Sequence, residues 1–324
     1  MLNMAVFGPG KWASRLVGSV QGRSEKVAFK AAASRDPDKH AEFAAKFGIA
    51  IAGRDEVLAD PAVDAVLIAT AHSDHRDLAI AAAGQRKHVF LEKPMALTVE
   101  DAKQVVDACD KAGVKLAHGF NRRFSPAYLE MLRRLHGSEI GELLHLEGQF
   151  SGPSGYALKL GMWRAERAEC PAGAMTARGI HALDAMISMA GPVKSVFCHS
   201  GNRVIGVDLD DVTSGLLRFD SGATGYIASH HATGEIWRLQ VYGSKGWMEM
   251  RGDTDLVIRT LGNEPDPVPL VACDKERAEL EAFADCVAGR KPYPVTKQQA
   301  LNGIAVIEAM VASAQSGELR SIHQ

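Results

Sequence analysis

The sequence predicts an α/β protein in two parts: a doubly wound parallel sheet, then an α+β domain with a large, mainly antiparallel open sheet. Three observations carry this. Short, continuous apolar runs alternate with helical stretches over the first ~120 residues, a two-residue alternation replaces them near residue 144, and paired runs around turn residues follow from Leu216 onward. Continuous apolar strands separated by helices belong to a parallel sheet covered on both faces. With 324 residues and roughly 100–200 per domain, two domains are expected, divided as 1–122 and 123–324.

The first strand is Met4–Phe7, followed by a glycine turn and a helix over Lys11–Val20. Val27–Ala33 is the second strand. Asp36-Pro37 then reads as an Asp N-cap with Pro at the first helical position. Strands at Ala65–Ala69 and His88–Leu91 flank a helix over His75–Ala83, and Thr98-Val99-Glu100-Asp101 reads as a capping box for a helix ending near Ala112. Val114–Ala117 closes the sheet. Beyond the boundary, Leu144, Leu146 and Phe150 alternate with His145, Glu147 and Gln149. Leu216–Phe219 pairs with Thr224–Ser229 across Asp220-Ser221-Gly222, and Leu239–Tyr242 with Trp247–Met250 across Gly243–Gly246. Two helices follow, one burying Leu280, Phe283, Ala284 and Val287, the other capped by Thr296 and burying Leu301, Ile304, Ala305 and Val311. Met186–Met189 reads as helix core.

Composition removes several function classes. Lys plus Arg is 37 against 39 for Asp plus Glu, a net charge of -2, without the basic footprint of a nucleic-acid binder. No apolar run reaches the ~18 residues that span a bilayer, and no signal-peptide pattern precedes the first strand. Five scattered cysteines fit neither zinc spacing nor a disulfide framework. A reducing cytoplasm is the expected setting, with a small-molecule substrate and no nucleic-acid or membrane partner.

Gly8-Pro9-Gly10-Lys11-Trp12-Ala13 joins the first strand to the first helix. In a Rossmann-type unit the first glycine permits the turn, the second lets backbone approach a pyrophosphate, and a small third residue packs helix on sheet. The pyrophosphate then rests on the N–H groups of the helix N-terminus. The second strand ends in Ala33-Ser34-Arg35-Asp36 rather than in a ribose-binding carboxylate. Ser34 and Arg35 suit a 2′-phosphate, so NADP is favoured with NAD possible; Arg35 as solvated surface is the competing account. Asp36 is assigned to the helix cap.

Leu91-Glu92-Lys93-Pro94 ends a strand at the edge where doubly wound sheets bind ligands. Taken in order, the glycine turn, Glu92-Lys93-Pro94, Gly119-Phe120-Asn121-Arg122-Arg123-Phe124 and Gly173–His181 resemble the Gfo/Idh/MocA family of NAD(P)-dependent oxidoreductases. The stretch Glu281–Gly317 resembles that family's closing helices.

The resemblance implies hydride transfer between a nicotinamide and the CH–OH/C=O group of a sugar, cyclitol or related polyhydroxy compound. Lys93 would relay the proton, its protonated form disfavoured beside an oxidised nicotinamide, and His181 would be a polar handle, or alternatively a buried histidine bonded to backbone. Glu92 could orient Lys93 or a backbone group nearby. Thr70, His72, His75, Glu92, Lys93, Asn121, Trp163 and Arg164 join the glycine turn, Ser34 and Arg35 as cofactor contacts, with packing the alternative for Trp163-Arg164 and substrate contact the alternative for Asn121. Arg122 and Arg178 join Lys93 and His181 as substrate contacts, with Asp184 a possible orienting group for His181. Arg123 could merely bridge domains, and His230 and His231 read as sheet-edge residues. No metal is expected, the His72/His75 pair lacking acidic or Cys partners.

One departure stands out. Many relatives carry Asp four residues before the histidine, where this chain has Ala177. Either Lys93 and His181 suffice, or another group substitutes, or the substrate lacks that hydroxyl; Arg178 beside it suggests a carboxylate-bearing substrate. A non-catalytic dinucleotide-dependent sensor and a reductase or dehydrogenase of a trans-dihydrodiol or imine are the competing functions. The open sheet should be covered by a second copy, giving a homodimer or homotetramer.

Overall fold

The computed structural model describes residues 1–322 and falls into two compact units: Met1–Asn121 with Asp274–Lys297, and Arg122–Cys273 with the chain from Gln298 onward. The expected division at 122/123 therefore omits one excursion. Residues 274–297 return to the first unit.

In the first unit the elements run β1 (Leu2–Phe7), α1 (Lys11–Val20), β2 (Val27–Ala33), α2 (Ala41–Phe47), β3 (Ala50–Ala52), α3 (Arg54–Ala59), β4 (Ala65–Ile68), α4 (His75–Gly84), β5 (His88–Glu92), α5 (Val99–Ala112) and β6 (Leu116–Gly119). All six strands pair in parallel, in the order β3-β2-β1-β4-β5-β6. Met4–Val6 and all of β4 are fully buried, which is why these strands are apolar without alternation. The chain leaves β1 for one side of the sheet and returns to β4 on the other, so the crevice for a ligand opens at the carboxyl ends of β1 and β4.

Two start signals are realised differently from expectation. Pro37–His40 forms a 3₁₀ turn before α2, and Asp36 makes no side-chain cap; its carboxylate pairs with Lys39 at 2.7 Å instead. Thr98 Oγ1 does accept from the Asp101 N–H at 3.1 Å, but Asp101 turns its carboxylate to Arg76 at 2.8 Å, leaving half a capping box. The returning segment carries α8 (Lys275–Val287; its range completes the first unit), on which Leu280 and Phe283 are fully buried. Phe283 meets Phe90 of β5 edge-on at 5.6 Å between centroids. Each such buried side chain contributes about 1.5–3 kcal/mol, enough to fix the helix on this sheet.

The second unit contains α6 (Pro126–His136), β7 (Leu143–Ser151), α7 (Ile180–Ala190), β8 (Val193–Gly201), β9 (Val212–Phe219), β10 (Thr224–His230), β11 (Ile236–Gly243), β12 (Gly246–Arg251), β13 (Asp255–Thr260), β14 (Asp266–Val268), α9 (Lys297–Ser316, its first residue in the first unit) and β15 (Arg320–Ser321). The nine-stranded sheet has the order β14-β13-β12-β11-β7-β10-β9-β8-β15; only β7 and β10 pair in parallel. Both expected hairpins form. The alternation along β7 holds for Leu146 and Phe150 but fails at Leu144, which is 51% exposed. The ladder with β11 shifts register there, pairing His145 with Tyr242 and Leu143 with Gly243, so Leu144 is the skipped residue of a bulge.

One face of this sheet packs on α7 and α9. Gly148 on β7 lets Met186 come so close that a Cβ there would lie 2.7 Å from its sulfur. Ser313 on α9 accepts from the Cys198 N–H at 2.9 Å, tying that helix to β8. Among the described residues no helix is long and apolar enough to cross a membrane.

Candidate active site

The first unit builds a dinucleotide cradle at the carboxyl ends of β1 and β4. Gly8 has φ +80°, and a Cβ on it would lie 2.8 Å from the Ala69 carbonyl and 2.9 Å from Thr70 Cγ2. Only glycine permits both that backbone conformation and that approach. Gly10 is exposed, and a Cβ there would enter space with no atom nearer than Gly8 O at 4.0 Å. It caps α1 with no side-chain cap, and the first turn of α1 has no acidic residue, so its N–H groups are left for an anion. The buried Trp12 Nε1 has no hydrogen-bond partner among the described residues. These features fit a dinucleotide pyrophosphate. At the end of β2, Ser34 Oγ accepts from Asp36 N and donates to Asp36 O, both at 3.1 Å. The Arg35 side chain is 95% exposed, 3.9 Å from Asp74.

Lys93 stands just past β5, partly exposed, in a turn fixed from two sides. The Lys93–Pro94 peptide is cis. His75 Nδ1 lies 2.8 Å from the Pro94 carbonyl, and because a carbonyl only accepts, Nδ1 carries the proton. His72 meets His75 edge-on at 5.7 Å. His75, expected at the cofactor, thus also holds the lysine-bearing turn. Glu92 Oε2 accepts from the Lys93 N–H at 3.3 Å, the backbone version of its expected orienting role. A Cβ on Gly119 would lie 2.5 Å from Glu92 Oε1, so β6 carries glycine where the carboxylate lies flat.

Behind Glu92 lies a buried acidic group that sequence patterns do not reveal. Asn121 is buried and donates to Glu276 Oε1 at 3.0 Å, which also pairs with Arg15 at 2.9 Å. Glu279, one helical turn on, is fully buried, with no hydrogen-bond partner among the described residues for either oxygen. Burial first, then the charges of Glu92 and Glu276, push its carboxyl well above the ordinary 4.5. The native state therefore binds a proton there that the unfolded chain releases above that value. Stability from this group is full below pH 4.5 and declines as pH rises toward the raised native pKa, by about 1.4 kcal/mol per pH unit within that window. Glu279→Gln should remove this slope: in thermal melts its Tm gains on the wild type as pH rises from 5 to 8. A Tm difference constant over that range would show that Glu279 is ionised in the native state.

The second unit builds a compact set around Phe150 of β7. The motif Gly173–His181 contains a wide turn, Met175–Gly179, closed by the Ile180 N–H on the Met175 carbonyl, before α7 begins. Such turns inside helices recur at functional sites. His181 is 6% exposed, its ring 5.8 Å from that of Phe150. The Arg178 guanidinium lies 5.2 Å from the same ring and that of Arg122 4.9 Å, with Trp237 5.7 Å from Arg122. Arg122 is neutralised by Asp253 at 2.8 Å. Ala177 is partly exposed, a methyl group one residue before Arg178.

Several residues take roles other than the expected ones. Asp184 does not orient His181; both its oxygens accept from Arg123, at 2.6 and 3.0 Å, and Arg123 also donates to Tyr128 and Gln299. That places Arg123 within the second unit as a buried structural charge. His231 is 4% exposed rather than at an edge, its Nδ1 3.0 Å from Ser154 Oγ, and burial, then the Arg178 charge, lowers its pKa to about 4. Arg164 stacks on Trp163 at 4.0 Å, so the pair first contacts itself. Gly152, Phe150, Trp237 and Asp253 were not among the expected site residues; Phe150 reads as ordinary strand core, and nothing local marks the other three.

Compared with known proteins, residues 2–120 match the model of an oxidoreductase family with an NAD-binding Rossmann fold, and residues 128–249 match the GFO/IDH/MocA C-terminal domain. The chain is 31% identical over 275 residues to the NAD(+)-dependent scyllo-inositol 2-dehydrogenase of Bacillus subtilis, covering 81% of this chain and 78% of that one. It is 29% identical to D-xylose 1-dehydrogenase (NADP(+)) 2 of Haloferax volcanii, with 93% and 94% covered. Among solved structures, an aldose-aldose oxidoreductase from Caulobacter crescentus superimposes with a TM-score of 0.89 at 27% identity, covering 99% of both chains.

Proposed function

The chain belongs to the Gfo/Idh/MocA family of oxidoreductases, and from that premise we propose that it interconverts a secondary alcohol and a carbonyl on a sugar, cyclitol or related polyhydroxy compound, with NADP(H) as the favoured partner. The observation that carries this reading is Lys93 in a doubly fixed turn, at the same end of the sheet as the glycine cradle. A bound nicotinamide supplies the hydride acceptor or donor. Lys93 Nζ takes the hydroxyl proton in oxidation and returns it in reduction. His181 is assigned to hydrogen-bond the substrate oxygen, while Arg122 and Arg178 bound its pocket.

Support for NADP(H) comes from β2. Asp36 is held by Lys39, and the exposed Arg35, 3.9 Å from Asp74, is assigned to meet a 2′-phosphate, joined by Ser34 once its hydroxyl turns from the Asp36 carbonyl. The relatives named above divide between NAD(+) and NADP(+) and do not decide the matter. A second copy of the chain is assigned to the outer face of the large sheet, where Phe197, Leu216 and Tyr226 lie in one cross-strand row with Leu216 58% exposed. The reducing cytoplasm remains the proposed setting.

The test is a panel of polyols, cyclitols and aldoses with each cofactor, followed at the reduced-nicotinamide absorbance. Turnover is expected on at least one member, with NADPH bound about tenfold or more tightly than NADH, the value of a charge-assisted phosphate contact. Cofactor binding without turnover on any member, nor on sugar acids, a trans-dihydrodiol or an imine added to the panel, would instead identify a sensor. Tighter NADH binding would defeat the role of Ser34 and Arg35.

A further inference from the structure

Resting on the dehydrogenase reading, we propose that the substrate carries a carboxylate and that Arg178 binds it, so the favoured compounds are sugar acids rather than neutral polyols. Arg178 is positioned more by carbon than by its one counter-ion among the described residues, the exposed Glu235 at 3.6 Å. Its guanidinium stacks 5.2 Å from the Phe150 ring, and on the other side Gly152 leaves it room: a Cβ there would lie 2.6 Å from Nη1. His181 borders the same Phe150 ring at 5.8 Å. A cation and the histidine proposed to meet the reacting oxygen thus share one aromatic wall.

The other charges around that wall cancel. Arg122 is paired with Asp253, and Arg123 with Asp184. His231, with its lowered pKa, is neutral at physiological pH. Among the described residues, Arg178 has only Glu235 at 3.6 Å, on a side chain 63% exposed, and the Ser151 carbonyl at 3.4 Å. A pair so long and so wet is worth little. The segment Gly173–His181 contains no acidic residue to take its place. A stacked, planar, permanently charged fork that lacks a close carboxylate is complementary to one, bidentately. Because the stack already holds it, little side-chain entropy is lost when the carboxylate arrives.

The test uses the full chain saturated with NADPH and measures equilibrium binding of hexuronates and hexonates, each against the aldose or alditol that lacks its carboxylate. At least one acid should bind about tenfold or more tightly than its neutral counterpart. Arg178→Gln should cut that acid-to-neutral ratio by about ten- to hundredfold, the range of a hydrogen bond to a charged group, and Arg178→Lys should restore part of it. Gly152→Ala, which keeps the charge but displaces the guanidinium, should lower the ratio as well. Retained binding of the neutral counterpart, with an unchanged thermal melt of each variant, reports that the second unit carrying Gly152 and Arg178 is folded. An acid-to-neutral ratio of one or less on the wild type would overturn the proposal, as would equal weakening of acid and neutral binding by Arg178→Gln. Because the readout is binding, absence of turnover on every compound would sink the dehydrogenase reading and leave this result legible.

Discussion

Lys93→Met is expected to lower kcat by about 10²–10⁴-fold, the usual contribution of a positioned acid–base group, while NADPH binding changes by no more than a few-fold. The side chain that replaces the amine is of similar length and cannot carry a proton. The elements that would hold the pyrophosphate, Gly8, Gly10 and the first turn of α1, are separate from the Lys93 turn. The His75–Pro94 and Glu92–Lys93 contacts are made to backbone atoms and survive the substitution. Lys93→Arg separates two roles: it keeps a positive charge, but a guanidinium cannot give up its proton near neutral pH. A proton relay requires both variants to fail. If Lys93→Arg retained most of the activity, the amine would be a charge for binding and not an acid–base group. If Lys93→Met lost cofactor affinity yet turned over normally at saturation, the relay would be excluded.

The parts of this site that were legible in the sequence are those written in local pattern. Gly8-Pro9-Gly10 announces a turn because no other residue type fits φ +80° against Ala69 and Thr70. The apolar run His88–Leu91 with Lys93 two residues on places the amine at a strand end, since a buried parallel strand delivers the next few residues to the ligand-binding edge of the sheet. The features that stayed hidden depend on partners far apart in sequence. The periodicity of Leu280 and Phe283 gives a helix but does not say that its apolar face meets Phe90. Asp184 lies three residues from His181, a natural hydrogen-bonding interval on a helix, yet Arg123, sixty-one residues away, takes both its oxygens. Leu144 follows the alternation in sequence and is turned outward by a bulge that depends on the neighbouring strand. In each case local spacing sets a preference, and a contact with a residue distant in sequence decides the outcome.

The Arg123–Asp184 pair should produce the largest stability effect of any polar substitution in the second unit. Both side chains are about 95% buried, at 4% and 5% exposure. Burial raises the Asp184 pKa against the pull of Arg123, and it works against the Arg123 charge while the Asp184 charge and hydrogen bonds keep that group protonated. Among the described residues, Asp184→Ala would leave a guanidinium in the core with only Tyr128 and Gln299 to accept from it. Removing one partner of such a pair costs about 3–5 kcal/mol, or roughly 6–20 °C in Tm for a domain of this size. Replacing both groups, as Arg123→Met with Asp184→Leu, should recover most of that loss, because the penalty lies in the stranded charge and not in the missing attraction. A thermal denaturation series on the single and double variants decides between these accounts. If the double variant were no more stable than Asp184→Ala, the pair would contribute its own attraction, and the first turn of α7, with His181 on it, would depend on that ion pair for its placement.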